Sequence, residues 1–311
     1  MDFDGCRLQT TEMPPLFFQP GITADPVYAH VRDAPPDGDI LDRARGFIER
    51  IWSATSEYVD VDAPLKAQRD LLPVFWEMYL ARALLLSGIV LVPRAKRRLA
   101  NNKGPDLATL EPAVSIEAVM PGNGSGPDGI SRPQTGIAYD VPQEQMMLRI
   151  RSVIEDKALK LRSYIDEEII SPTEPTVISI SGAKLEFRLQ EACTPYVVRA
   201  ALAIGNTILH IDKKTKQAVG QSVDFQDTIR KTNNAPVRID PFLGQQFSHV
   251  SALLYSAADF CWDPAAKGEE FIIVRNSFAD NPLPSGWPGI GTEFWKEGEK
   301  LRSRLFNPED P

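Results

Sequence analysis

The sequence predicts one α/β domain, and three observations predict it. Segments with apolar residues at helical spacing alternate along the chain with short apolar or alternating runs of strand type. No linker clearly divides the 311 residues and no internal repeat is present. A hydrophobic content of 43% with 24% charged residues suits an ordinary globular domain with a sizeable core.

Residues 1–38 are rich in proline and polar residues and break at "PPDGD", so an extended or partly ordered segment is expected there. The domain proper is expected over 39–311. Ile40, Leu41, Ala44, Phe47, Ile48 and Ile51 predict a helix from 40 to about 59. A second helix is expected from 64 to 87, ending at Gly88. Three strand candidates follow, "IVLVPR" (89–94), "LATLE" (107–111) and "VSIEAVM" (114–120). The glycine- and proline-dense stretch 121–140 reads as a functional loop. Pro142 suits the first turn of a long helix reaching about residue 168. "TVISISG" (176–182) is a strand, "PYVVRAALAIG" (195–205) a helix and "NTILHID" (206–212) a strand, which closes an expected core of about 65–212. Residues 213–311 are expected as a C-terminal elaboration. In it, 250–262 is a strand or buried helix, "EEFIIVRNS" a strand, and 293–305 a polar helix.

The formal charge of −8 excludes a surface that coats nucleic acid all over, but leaves room for a local basic groove. Cys6, Cys193 and Cys261 are odd in number, far apart and in no metal-ligand spacing, as expected of reduced thiols. With no apolar run of about 18 residues and no basic apolar leader, the expected location is the cytoplasm, without membrane attachment. His30, His210 and His249 are scattered, and "GNGSGPDG" lacks the lysine of a Walker loop.

Three carboxylates stand beside apolar segments, where burial is costly without a neutralising partner. Glu77 lies in "PVFWEMYLARALL" with Val74, Leu80, Ala81 and Leu84 at helical spacing. Asp106 follows the turn-forming Gly104-Pro105 at the mouth of a strand. Glu117, in "SIEAV", points to the face opposite Val114 and Ile116. Singly, each also reads as an ordinary residue: a helix-edge glutamate, a turn aspartate, a solvent-facing strand glutamate. Together they form the all-oxygen environment that Mg²⁺ or Mn²⁺ prefers.

"GPD", followed eleven residues after its aspartate by "EAV", with an upstream helical glutamate and a downstream long helix, resembles the PD-(D/E)XK superfamily of restriction-endonuclease-like nucleases. The resemblance covers roughly 65–182. It implies a mixed central sheet flanked by helices, with Glu77, Asp106 and Glu117 on a divalent metal. It also implies a lysine that positions the attacking water, but Val119 stands where the motif has that lysine. Lys157 falls on the apolar stripe Met146, Ile150, Val153, Ile154 and Leu161 of the long helix and is the candidate for a relocated lysine. Its alternative is a side chain that carries its ammonium out to water. Arg149, and Arg97, Arg98 and Lys103 of "PRAKRRLANNK", are candidates for phosphate contact.

The resulting expectation is a Mg²⁺- or Mn²⁺-dependent endonuclease acting on nucleic acid, DNA before RNA, and working as a homodimer if two strands are cut. Its alternatives are a catalytically inactive nuclease-fold module that binds nucleic acid or protein, favoured by Val119, and an α/β protein whose acids are surface residues.

Overall fold

Aspartates set the first helices. In the computed structural model, which describes residues 16–97, 103–189, 194–261 and 268–306, α1 (Pro26–Arg32) begins at Asp25, whose carboxylate accepts the Val27 N–H at 2.8 Å. The other oxygen of Asp25 accepts the N–H of Leu71 at 2.7 Å. α2 (Ile40–Thr55) starts on Asp39, which accepts two first-turn N–H groups. α3 (Ala63–Ala67) and α4 (Leu71–Leu86) follow. The single helix expected over 64–87 is therefore two. It breaks at 68–70, where Asp70 is extended and Leu71 turns its N–H to Asp25.

The N-terminal segment also departs from the extended chain expected. Besides α1, Phe17 and Phe18 donate backbone N–H groups to Glu49 and are buried with Tyr28 and Trp52. These aromatics bury enough apolar surface to hold a proline-rich stretch in place.

Leu91 bridges Thr109 at the sheet edge, so only the middle of the expected strand 89–94 pairs. β1 (Leu107–Leu110) and β2 (Ala113–Val119) form an antiparallel hairpin. α5 (Gln143–Asp166) crosses over to β3 (Thr176–Ser181), which lies parallel to β2. α6 (Tyr196–Leu202) leads into β4 (Ile204–Ile211), which pairs with β5 (Ala218–Phe225) in a separate hairpin. β6 (Thr228–Arg230) and β7 (Pro236–Arg238) form another. β8 (Ala252–Ser256), β9 (Ile272–Arg275), β10 (Thr292–Glu297) and β11 (Lys300–Leu305) complete a seven-stranded mixed sheet of order β1-β2-β3-β8-β9-β10-β11.

Two expectations are corrected by this topology. The polar helix at 293–305 is the hairpin β10–β11, turned at Gly298, whose φ of +59° suits glycine. Pairing of β10 with β9 overrides the helical leaning of its charged residues. The core also does not end near residue 212, because β8 pairs directly with β3 and extends the sheet.

α1, α2 and α4 cover one face of the sheet, packing on Ile116, Val177 and Leu254. α5 and α6 cover the other, packing on Ile178, Ile180 and Leu253. The central strands β3 and β8 are buried throughout, as fits strands covered on both sides. Among the described residues no helix is long and apolar enough to cross a membrane.

Candidate functional site

Residues of β2 alternate between two helical layers. Val114, Ile116 and Ala118 join the α4 layer, so Glu117 points to the α5 side. Leu107 pairs with Ile116, and one step further the register brings Asp106 opposite Glu117. The Ala118 N–H donates to the Asp106 carboxylate at 2.7 Å and holds it there. Two like charges across a strand pair repel, and Glu117 is fully buried. Something cationic has to meet them.

α5 supplies it. The Lys157 ammonium donates to Glu117 Oε1 at 2.7 Å, and Lys160 donates to the same oxygen. Residues three apart on a helix share a face, which puts both lysines over the strand acid. Lys160 was not among the sequence candidates, yet its spacing from Lys157 was a usable signal. It is also the more exposed of the two, 40% against 20% of the side chain, and its ammonium lies 5.4 Å from the centre of the Tyr164 ring. Glu117 Oε2 is buried and has no hydrogen-bond partner.

Burial, with the charge of Glu117 added, pushes Asp106 up to about 6, against the opposing pull of Lys157, Lys160 and the Ala118 N–H. Burial, with the charges of Asp106 and Asp60, pushes Glu77 on α4 up to about 8. Burial lowers the Lys160 pKa, but the charge of Glu117 outweighs it and the net shift is upward. Asp106 is thus the shared member of the set, acting on Glu77 and acted on by Glu117. Among the described residues no three His, Cys, Asp or Glu side chains gather as a metal-holding group.

The basic candidates divide. Arg97 is buried, with its guanidinium donating to the carbonyls of Pro105, Asp106 and Tyr58. It is therefore corrected from a phosphate contact to a brace for the turn that carries Asp106. Arg149 is partly buried and donates from Nε to the carbonyl of Gly122 at 2.8 Å, anchoring the 121–140 loop to α5. Lys103 is exposed. Arg98 lies outside the described residues. Val119, in the lysine position of the motif, is a partly buried apolar residue packed with the α5 layer.

No protein-family model, no curated protein and no solved structure matches the chain. What the site can do therefore rests on its own chemistry. It sets two opposed carboxylates, one with a bare buried oxygen, beside two ammonium groups on a single helix face.

Proposed function

We propose that the chain is a divalent-metal-dependent nuclease, built on a restriction-endonuclease-like core and hydrolysing phosphodiester bonds at the Asp106–Glu117–Lys157 cluster. One observation carries this reading: the Lys157 ammonium reaches across from α5 to within 2.7 Å of Glu117, beside the strand position where Val119 stands in place of a lysine. The chain order supports it too, with helix α4, the edge segment at Leu91, strands β1 and β2, helix α5 and strand β3 in succession.

Asp106 and Glu117 fit a hard cation by donor chemistry, and the unpartnered Glu117 Oε2 is a buried lone pair that such an ion would satisfy. Mg²⁺ or Mn²⁺ bound there would polarise a phosphoryl oxygen and lower the pKa of a water. The chain's own groups do the rest. Glu117 holds the Lys157 ammonium in place, and that ammonium orients water toward phosphorus or donates to a phosphate oxygen. Lys160, more exposed, offers a second donor to the phosphate backbone. Glu77, carrying a proton near neutral pH, keeps negative charge from accumulating behind Asp106.

The test is cleavage of plasmid, single-stranded DNA and RNA with Mg²⁺ or Mn²⁺, comparing the parent chain with Asp106→Ala and Glu117→Ala. Metal-dependent cleavage lost in both variants is the expected result. Cleavage that survives both places the activity elsewhere. Val119 and the lysine neutralisation of Glu117 favour a second reading, an inactive binding module, and binding without cleavage would select it.

A further inference from the structure

The β4–β5 hairpin stands away from the sheet that carries the site. Its root is packed, at Ile204 and Gly205 of β4 and at Val223 and Phe225 of β5, the last under the Lys296 ammonium of β10, while the residues from Ile208 to Ser222 are almost all exposed. At about 3.3 Å per residue, the stretch 206–211 makes an arm about 20 Å long. A lone two-stranded ribbon is marginal in water, and this one exposes Ile208, Leu209, Ile211 and Val219 at 43, 62, 59 and 68%. Leu209 and Ile211, two apart on β4, share one face of the ribbon, with Ile208 on the other, and exposed apolar side chains grouped on one face mark a contact surface.

The tip states what kind of contact. Lys213, Lys214 and Lys216 are exposed there, and no ion pair among the described residues takes their charge. The one carboxylate of the turn, Asp212, is occupied by the N–H groups of Lys214 and Thr215 and by the Thr215 hydroxyl. In a chain of net charge −8, a projecting tip with three ammonium groups against the single carboxylate of Asp212 is locally cationic and complementary to a polyanion. The ribbon has register shifts near its root and at His210–Ile211, and such irregularities increase twist. Gly220, opposite His210, leaves a bare patch where an added Cβ would meet nothing within 4 Å.

The root is held to the helix that bears the site lysines. Arg199 on α6 donates to the Ile204 carbonyl and the Asn206 side chain of β4, and to Gln143 in the first turn of α5.

We propose that β4–β5 is a DNA-gripping arm that enters the major groove of a duplex, with Lys213, Lys214 and Lys216 on phosphates and Leu209 and Ile211, on one face of the ribbon, against the base edges. The major groove, about 12 Å wide, admits a two-stranded ribbon, and apolar side chains there contact thymine methyl groups. The inference rests on the nucleic-acid reading above and adds the substrate form, duplex DNA, and the residues that hold it.

The test measures binding of the full chain to a fluorescent DNA duplex over a series of salt concentrations, with a chelator present so that nothing is cut. Each phosphate contact contributes about 0.9 to the salt slope, so replacing all three tip lysines by glutamine should lower the slope by about 2 to 3 and weaken binding at least about tenfold. Leu209→Ser with Ile211→Ser should weaken binding with the slope unchanged. Binding by the parent chain that neither variant alters overturns the arm and leaves the nuclease reading standing. Tip-dependent binding by a chain that never cleaves supports the arm and removes the nuclease. No binding of the duplex by the parent overturns the arm, and the metal-dependent cleavage assay on plasmid, single-stranded DNA and RNA then decides the nuclease reading separately. A change in oligomeric state of the ribbon variants with DNA binding intact makes the ribbon a contact between copies, and overturns the arm as well.

Discussion

Two buried glutamates in this chain each meet two cations, and the difference between them separates structure from chemistry. Glu293 on β10 is held by arginines: Arg275 donates from Nε to Oε1, and Arg304 donates to Oε2 at 2.8 Å. Arg275 spends its remaining donors on the carbonyls of Leu283 and Pro284. Both oxygens of Glu293 are paired by planar, forked groups, which suits a fixed joint between β9, β10 and β11. Glu117 is held by lysines that crowd one oxygen and leave the other bare. Ammonium groups on flexible stems can leave, and Lys160 is already half in water. An open cleft of about 380 Å³ lies at Glu293, lined also by Arg275, Asn276, Trp295 and Arg304. Both oxygens of its glutamate are thus committed to holding the sheet together, whereas Glu117 keeps one carboxylate oxygen unspent.

Four experiments put the two glutamates to the test. The largest effect is expected from Asp106→Asn and Glu117→Gln, each lowering metal-dependent cleavage on the order of 1,000-fold. Folding should survive, because the first change removes a like charge facing Glu117 and the second releases lysines able to reach water. A loss of fold in both would make the cluster structural, like that at Glu293. Next, Glu293→Ala should cost about 3 kcal/mol of stability, since it strands two arginines. Denaturant unfolding measures that, and an unchanged midpoint would refute the joint.

Smaller effects separate the two lysines. Lys157→Met should slow cleavage about 100-fold, the lower end for a positioned proton donor or acceptor, and Lys160→Met, which loses one charge-assisted hydrogen bond to phosphate, about tenfold. Full rate in Lys157→Met would remove the relocated-lysine proposal, and the reverse ranking would transfer it to Lys160. Last comes pH. Glu77 and Asp106 hold protons in the folded chain, up to about pH 8 and about pH 6, that the unfolded chain releases near 4.5 and 3.8. Below that window both states are protonated; within it the unfolded state binds fewer protons, so stability falls as pH rises from about 4 to 8. Melting temperatures across that range should decline, and Glu77→Gln should flatten the part between pH 6 and 8. A profile identical to that of the parent chain would mean that Glu77 is not protonated in the fold.

Much of this was legible locally. Helical periodicity located α2 and α5, and apolar runs located β2, β3 and β9 but left β8 open between a strand and a buried helix. Alternation along β2 already turned Glu117 away from Val114 and Ile116. Other features were hidden by their distance along the chain. α4 begins at Leu71 because of a cap supplied by Asp25. β10 and β11 are strands because β9 lies beside them, although their residues lean toward a helix. Arg97 looked free for phosphate until three carbonyls closed around it.

Local sequence was enough to turn Glu117 to the face opposite Val114 and Ile116 and to put Lys157 on the apolar stripe of α5, because side-chain direction follows from the period of the local backbone. Long-range packing set the rest: Asp106 opposite Glu117, Lys157 and Lys160 over the same oxygen, and Glu77 buried where the charge of Asp106 raises its pKa. Those meetings join residues from about a dozen to about forty positions apart, and strand register and layer packing, which set them, leave no mark in any short window of the chain.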